Sequence, residues 1–321
     1  MPRPVRINFE NACYHVMNRG RGRQAIFPGD EYYQMFLNCL AEASKRFRLE
    51  VIAYCLMGNH YHLFVKTPLA NLDRCMRHVN GLYTQRYNRL KKTDGPLFRG
   101  RYKAILVEAD TYGLHLSRYI HRNPVEMKRP LINKLDEYTW SSYPCYINKV
   151  DAPDWLSREL VYDLLGAKQR YKSYARYVES GIDEETESFY GKGNQPAILG
   201  SDEFVQQIKS DNGEKNHLID QHQGNYPSIK TIIESVAEEF EVEEKEITKS
   251  RRGRNSENIP RWVALYLCRE LSQAALKEIA SGFGMQHISG VSKAAIKLER
   301  VLDKKYSIQK SIKRLNQRLT P

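Results

Sequence analysis

The 321 residues carry 50 Lys and Arg against 38 Asp and Glu, a formal net charge of +12, with 41% hydrophobic and 27% charged side chains. This balance excludes wholesale disorder and fibrous repeats, and the length is enough for two or three domains with cores of their own. No run approaches the roughly 18 apolar residues that span a bilayer and the chain begins without an apolar leader, so no membrane association and a cytoplasmic location are expected.

The six cysteines, Cys13, Cys39, Cys55, Cys75, Cys145 and Cys268, form no C-x-x-C pair and read as small buried hydrophobes. Charge is unevenly placed. Residues 1–135 hold 23 basic and 10 acidic side chains (+13), residues 136–225 hold 9 and 16 (−7), and residues 226–321 hold 18 and 12 (+6). Two segregated basic blocks favour polyanion binding over a merely solvated surface. Three domains are expected with these bounds, the acidic one being a helical or linker extension of the first.

In chain order, Cys13 to Met17 has the β-propensity of a strand and ends in the basic glycine-rich turn Asn18–Arg23. Met35, Phe36, Cys39, Leu40, Ala43 and Phe47 recur at three and four, predicting a helix capped by Asp30. Val51–Met57 and His60–Val65, joined by Gly58-Asn59, read as a hairpin. A second helix follows over Leu69–Tyr87, then a strand over Tyr102–Val107. The order βαββαβ predicts an α+β, ferredoxin-like sheet with helices on one face. A third helix is predicted to start at the capping residue Asp110 and to end near Asn123, because Pro124 disfavours helical geometry in the residue before it. Asp183–Glu187 and Gly191–Asn194 read as an exposed loop or linker.

Two features of this frame carry chemistry. On a strand, side chains alternate faces, so His60 and His62 point the same way and can grip one ion, with Tyr61 opposite. In the third helix His115, Tyr119 and Asn123 are spaced by four and share a stripe. Arg19, Arg21 and Arg23 of the first turn, and Arg99 and Arg101 in Leu97–Tyr102, can contact phosphates or stack on unpaired bases.

The His-hydrophobic-His strand followed by Tyr119-Ile-His-Arg-Asn-Pro-Val125 resembles the single-tyrosine HUH transposases, and the second string resembles the REP-associated tyrosine transposases in particular. The resemblance extends over roughly residues 5–210, including Trp140–Tyr143 and Ile198–Val205. It implies that Tyr119 is the nucleophile that forms a 5′-phosphotyrosine bond with single-stranded DNA beside a hairpin. It implies further that His60, His62 and Asn123 hold a divalent cation, Mg²⁺ or Mn²⁺. His115 and His121 are alternatives for the third ligand, His121 lying off the stripe.

The last block reads as all-α. Ile229, Ile232, Ile233, Val236 and Phe240 form a stripe, Ser250–Asn255 a basic loop, and Pro260 a first-turn helix position. Leu276–Phe283, Gly284 and a helix from about Ser289 form a helix-turn-helix pattern. The segment Val236–Val301 resembles the DNA-binding C-terminal domain of the replication initiator DnaA, which implies duplex contacts by Arg251, Arg252 and Arg254 of the loop and by Ser289 and Lys293 of the last helix. Where that family opens the helix with Asp-His-Thr-Thr, this chain has Gln286-His-Ile-Ser289, so the target sequence is not expected to carry over. The expected partners are therefore hairpin or single-stranded DNA for the first block and duplex DNA for the last, in a nucleoid-associated monomer or homodimer. The rivals are an idle DNA-binding protein, a rolling-circle or relaxase-type nicking enzyme, and a structural zinc site at His60 and His62, which would need four ligands.

Overall fold

The computed structural model describes residues 7–127, 129–191, 196–215, 227–249, 257–272, 274, 276–302 and 306–319. The chain falls into two compact units, Met1–Ile219 and Asp220–Pro321.

The first unit is built on β1 (Ala12–Arg19), α1 (Asp30–Phe47), β2 (Glu50–Met57), β3 (His60–Thr67), α2 (Leu72–Lys91) and β4 (Lys103–Val107). Strand order is β2-β3-β1-β4, antiparallel between neighbours, which is the split βαβ arrangement expected from the element order. A fifth strand that the sequence did not announce, β5 (Ile198–Leu199), pairs parallel to Leu106 and Val107 of β4.

Alternation assigns the two sheet faces. Tyr14, Val16, Tyr61, Leu63 and Val65 pack with the buried stripes of α1 (Phe36, Cys39, Leu40, Ala43) and α2 (Cys75, Met76, Val79, Tyr83). Each of the large side chains fully buried there contributes about 1.5–3 kcal/mol. The opposite face carries Cys13, Phe64 and Ile105, and α3 (Ala109–Glu126) lies over it with Leu116 and Ile120.

Three local expectations are corrected. The cap of α1 is Gly29, with Asp30 as the first helical residue, where its charge still favours the helix N-terminus. The cap of α3 is Glu108 rather than Asp110, and the helix runs through Pro124 to Glu126. A proline so near the C-terminus removes one intrahelical donor with little helix left to break, and the Asn123 side chain adds a bond to the Tyr119 carbonyl at 2.8 Å.

The acidic segment packs against the same sheet face through short helices α4 (Tyr143–Tyr146), α5 (Glu159–Leu165), α6 (Arg170–Glu179) and α7 (Glu184–Gly191), followed by α8 (Asp202–Lys215). The loop reading of Asp183–Glu187 is thus wrong. Asp183 accepts from the Thr186 N–H at 2.8 Å and caps α7, and three glutamates fill its favourable first turn. Residues 192–195 lie outside the described set. The exposed edge of β2 is covered by residues 140–157, with Leu56 N–H donating to the Trp140 carbonyl and Ser142 N–H to the Tyr54 carbonyl.

The second unit comprises α9 (Ile229–Glu239), α10 (Glu244–Thr248), α11 (Ile259–Leu271), α12 (Leu276–Gly282), α13 (Ser289–Leu302) and α14 (Tyr306–Leu319) around a core of its own. Ser228 and Asn258 cap α9 and α11 through their side chains, and Pro260 sits in the first turn of α11 as expected. After α12 the chain turns at Gly284, whose φ of +61° is the left-handed conformation glycine adopts without strain. Buried Arg261 donates to the carbonyls of Ile247, Thr248 and Phe283, tying the ends of α10 and α12 to α11. Among the described residues no helix is long and apolar enough to cross a membrane, and all six cysteines are free and buried.

Candidate active site

The hairpin β2–β3 and the strand β1 bring the two histidines of β3 onto the sheet face beneath α3. Register places Met17 opposite His62 and Phe64 opposite His15, so His15 lies diagonally across from His62. The rings of His60 and His62 have centroids 5.1 Å apart. Both imidazoles are already engaged at one nitrogen. His60 Nδ1 lies 2.7 Å from Asn59 Oδ1, and His62 Nδ1 lies 2.9 Å from His15 Nε2. Burial pushes His60 down to about 4 and His62 well below its ordinary value, so both are neutral and can offer a lone pair.

Tyr119 of α3 stands over this face, its ring 6.0 Å from that of His62 and 5.9 Å from that of His15. It stacks on Tyr190 of α7 at 3.9 Å and 11°. Burial pushes its phenol up to about 12, so at neutral pH the hydroxyl keeps its proton. Asn123, one turn further, donates through Nδ2 to the Tyr119 carbonyl, which leaves its Oδ1 as the available atom.

The two alternative ligands are engaged differently, His115 at one nitrogen and His121 at both. His115 Nδ1 is 2.9 Å from Asp183 Oδ2, and both nitrogens of fully buried His121 are bonded, Nδ1 with Tyr174 at 2.7 Å and Nε2 with Ser142 at 2.6 Å. Among the described residues no three His, Cys, Asp or Glu side chains gather so that they could hold a metal ion. Imidazole nitrogen and carboxamide oxygen are donors that Mn²⁺ and Mg²⁺ accept.

Beside the histidines is a cleft of about 490 Å³ lined by Met17, Asn18, Arg19, His60, His62, Arg99, Gly100, Arg101 and Lys103. Backbone bonds assemble it. Arg99 N–H donates to the Arg19 carbonyl, Arg21 N–H to the Leu97 carbonyl and Gly20 N–H to the Asn59 carbonyl, each at 2.9 Å. A Cβ on Gly20 would stand 2.2 Å from the Gln24 carbonyl oxygen, so this close turn admits glycine alone. Four cationic side chains thus line the cleft, which suits a phosphodiester backbone. Arg21 and Arg23 are exposed on the same turn but outside the lining.

Sequence reasoning missed Lys103, His15, Tyr190 and Asp183. Lys103 was hidden at the predicted start of a strand, and His15 needs the β1–β3 register to be recognised. In the second unit Ser289 and Lys293 are exposed on α13, whereas Arg251, Arg252 and Arg254 lie outside the described residues.

Residues 8–123 match the family model described as Transposase IS200 like, and residues 229–297 match Bacterial dnaA protein helix-turn-helix. Over 108 residues the chain is 31% identical to the chromosomal replication initiator protein DnaA of Sulfurimonas denitrificans, covering 33% of this chain and 25% of the relative. Over 150 residues it is 27% identical to the DnaA of Lachnoclostridium phytofermentans, covering 47% and 31%. The chain therefore spans only 25% to 31% of the length of these curated relatives. Of solved structures, a REP-associated tyrosine transposase bound to a REP hairpin aligns with a TM-score of 0.41 and 14% identity over 50% of this chain and 93% of its own. A Deinococcus radiodurans structure described as a transposase aligns with a TM-score of 0.28 and 19% identity over 38% and 97%. The first unit thus contains a stretch similar to the IS200-like transposase family, and the second a stretch similar to the DnaA-type helix-turn-helix.

Proposed function

We propose that the first unit cleaves and rejoins single-stranded DNA beside a hairpin through Tyr119, and that the second unit holds nearby duplex. The observation that carries this reading is the placement of Tyr119 6.0 Å from His62 on the face that opens into the cationic cleft.

In the step proposed, Tyr119 Oη forms a bond to a backbone phosphorus and the bond from that phosphorus to the 3′-oxygen breaks. The phenolic proton is lost as the 3′-oxygen gains one, so a 5′-phosphotyrosine and a 3′-hydroxyl result. The phosphodiester is conserved as a covalent intermediate, and rejoining needs no nucleotide hydrolysis. His60 Nε2, His62 Nε2 and Asn123 Oδ1 are the atoms left to hold a divalent cation, which when bound polarises the scissile phosphate. Such help fits a nucleophile whose phenol burial has pushed up to about 12. Arg19, Arg99, Arg101 and Lys103 would seat the flanking phosphates, while Ser289 and Lys293 on α13, with Arg251, Arg252 and Arg254, are the proposed duplex contacts.

The test is incubation of the full chain with hairpin-bearing oligonucleotides and Mn²⁺, read as a protein–DNA adduct on denaturing gels. Wild type should give an adduct that chelation prevents and that Tyr119→Phe and His62→Ala lose by at least about a hundredfold. Unchanged adduct formation by Tyr119→Phe would overturn the assignment, and tight binding without cleavage under any metal would favour an idle DNA-binding protein.

A further inference from the structure

A hydrogen-bonded chain that the cleavage step does not use runs between the sheet and α7. His15, fully buried on β1, has Nε2 2.9 Å from His62 Nδ1 and Nδ1 2.7 Å from the Tyr190 hydroxyl. Tyr190 comes from the last turn of α7, about 175 residues away in sequence, and its ring is held edge-on to His15 and face-on to Tyr119. α7 is itself fastened to α3. Asp183 at its start takes Arg118 and His115, and Tyr112 donates to Glu185 at 2.7 Å. A buried histidine costs desolvation and needs both nitrogens satisfied, and the sheet packs without one at the neighbouring inward positions Cys13 and Ile105.

Both ring nitrogens of His15 are engaged, one by a histidine and one by a phenol, and a neutral imidazole in that place owns one N–H and one lone pair. The chain therefore has two polarities. In the first, His62 Nδ1–H donates to His15 Nε2, His15 Nδ1–H donates to the Tyr190 oxygen, and His62 Nε2 carries a lone pair. In the second, Tyr190 O–H donates to His15 Nδ1, His15 Nε2–H donates to His62 Nδ1, and His62 Nε2 carries a hydrogen that forbids ligation. Only the first polarity is compatible with a cation at His62 Nε2, and it needs an oxygen acceptor at the far end. Tyr190 supplies that oxygen.

We propose that His15 and Tyr190 are positioning residues that hold His62 in the Nδ1–H tautomer, so that α7 completes the cation site without touching the cation. The inference rests on the metal-dependent reading above. It makes the acidic segment part of the site, since residues 183–190 deliver the end of the chain of hydrogen bonds.

The test uses the full chain. Long-range ¹H–¹⁵N spectra of the metal-free protein should show His62 as the Nδ1–H tautomer in wild type and as a mixture in Tyr190→Phe and His15→Gln. The Mn²⁺ dissociation constant, followed by water-proton relaxation, should rise about 10–100-fold in both variants. Tyr112→Phe, which removes the α7 tether to Glu185 but leaves the relay intact, should leave both readouts unchanged. An Nε2–H tautomer in wild type, or equal weakening by Tyr112→Phe, would overturn the inference. Mn²⁺ binding that is lost in His60→Ala yet unaltered in Tyr190→Phe and His15→Gln would overturn it alone. Absence of wild-type Mn²⁺ binding would overturn the metal reading with it.

Discussion

His121 illustrates how a single side chain in the Tyr-Ile-His string is fixed by packing rather than chemistry. It is fully buried, bonded at both nitrogens, and pushed by burial down to about 3, against 6.5 when exposed. Because the folded value is depressed, the unfolded chain takes the proton first. The contribution to stability is complete above pH 6.5 and falls as pH drops from 6.5 toward 3, by about 1.4 kcal/mol per unit. Urea unfolding between pH 7.5 and 5 should therefore be less steeply pH-dependent in His121→Gln by one proton, and equal slopes would contradict this role. The residues of the site were unequally legible. Spacing by two and by four is a local property, so His60, His62, Tyr119 and Asn123 could be singled out from the chain alone. His15 and Tyr190 join them only through strand register and the docking of α7, which no local pattern contains.

At the scale of elements, the helices with strong apolar stripes and the β2–β3 hairpin were read with bounds shifted by a few residues, because caps and last turns depend on single side chains. The acidic stretch was misread because α7 is short and has one buried residue, Thr186, so periodicity had nothing to register. Its stability is borrowed from α3 through Asp183. Burial would raise that carboxyl, but bonds from His115 and from the Thr186 N–H and hydroxyl outweigh it and hold it below the ordinary carboxylate range. The contribution of this seat to stability is therefore complete above the ordinary carboxylate value and declines progressively as pH falls from there toward the depressed folded value. Asp183→Ala removes the cap, worth about 1 kcal/mol, and leaves Arg118, 8% exposed, without its carboxylate. Amides of residues 184–191 should lose hydrogen-exchange protection in this variant while β1 and β3 keep theirs. Undiminished protection of α7 would show that its packing alone suffices.

Across the whole molecule there are two cores in one chain, and residues 143–190 of the acidic block pack, as far as they are described, against the first sheet. If each unit holds DNA, removing residues 220–321 should weaken duplex affinity and flatten its salt dependence by about 0.9 for each phosphate no longer neutralised, while adduct formation with hairpin oligonucleotides survives. An unchanged salt slope, from binding titrations at several ionic strengths, would remove the second unit from the DNA interface. Everything proposed for the first unit depends on the identity of the reacting atom. Proteolysis and mass spectrometry of the Mn²⁺-dependent adduct should find a 5′-phosphorylated nucleotide on the fragment containing Tyr119, with a free 3′-hydroxyl on the released strand. An adduct on Tyr190, or a linkage through a 3′-phosphate, would contradict the account.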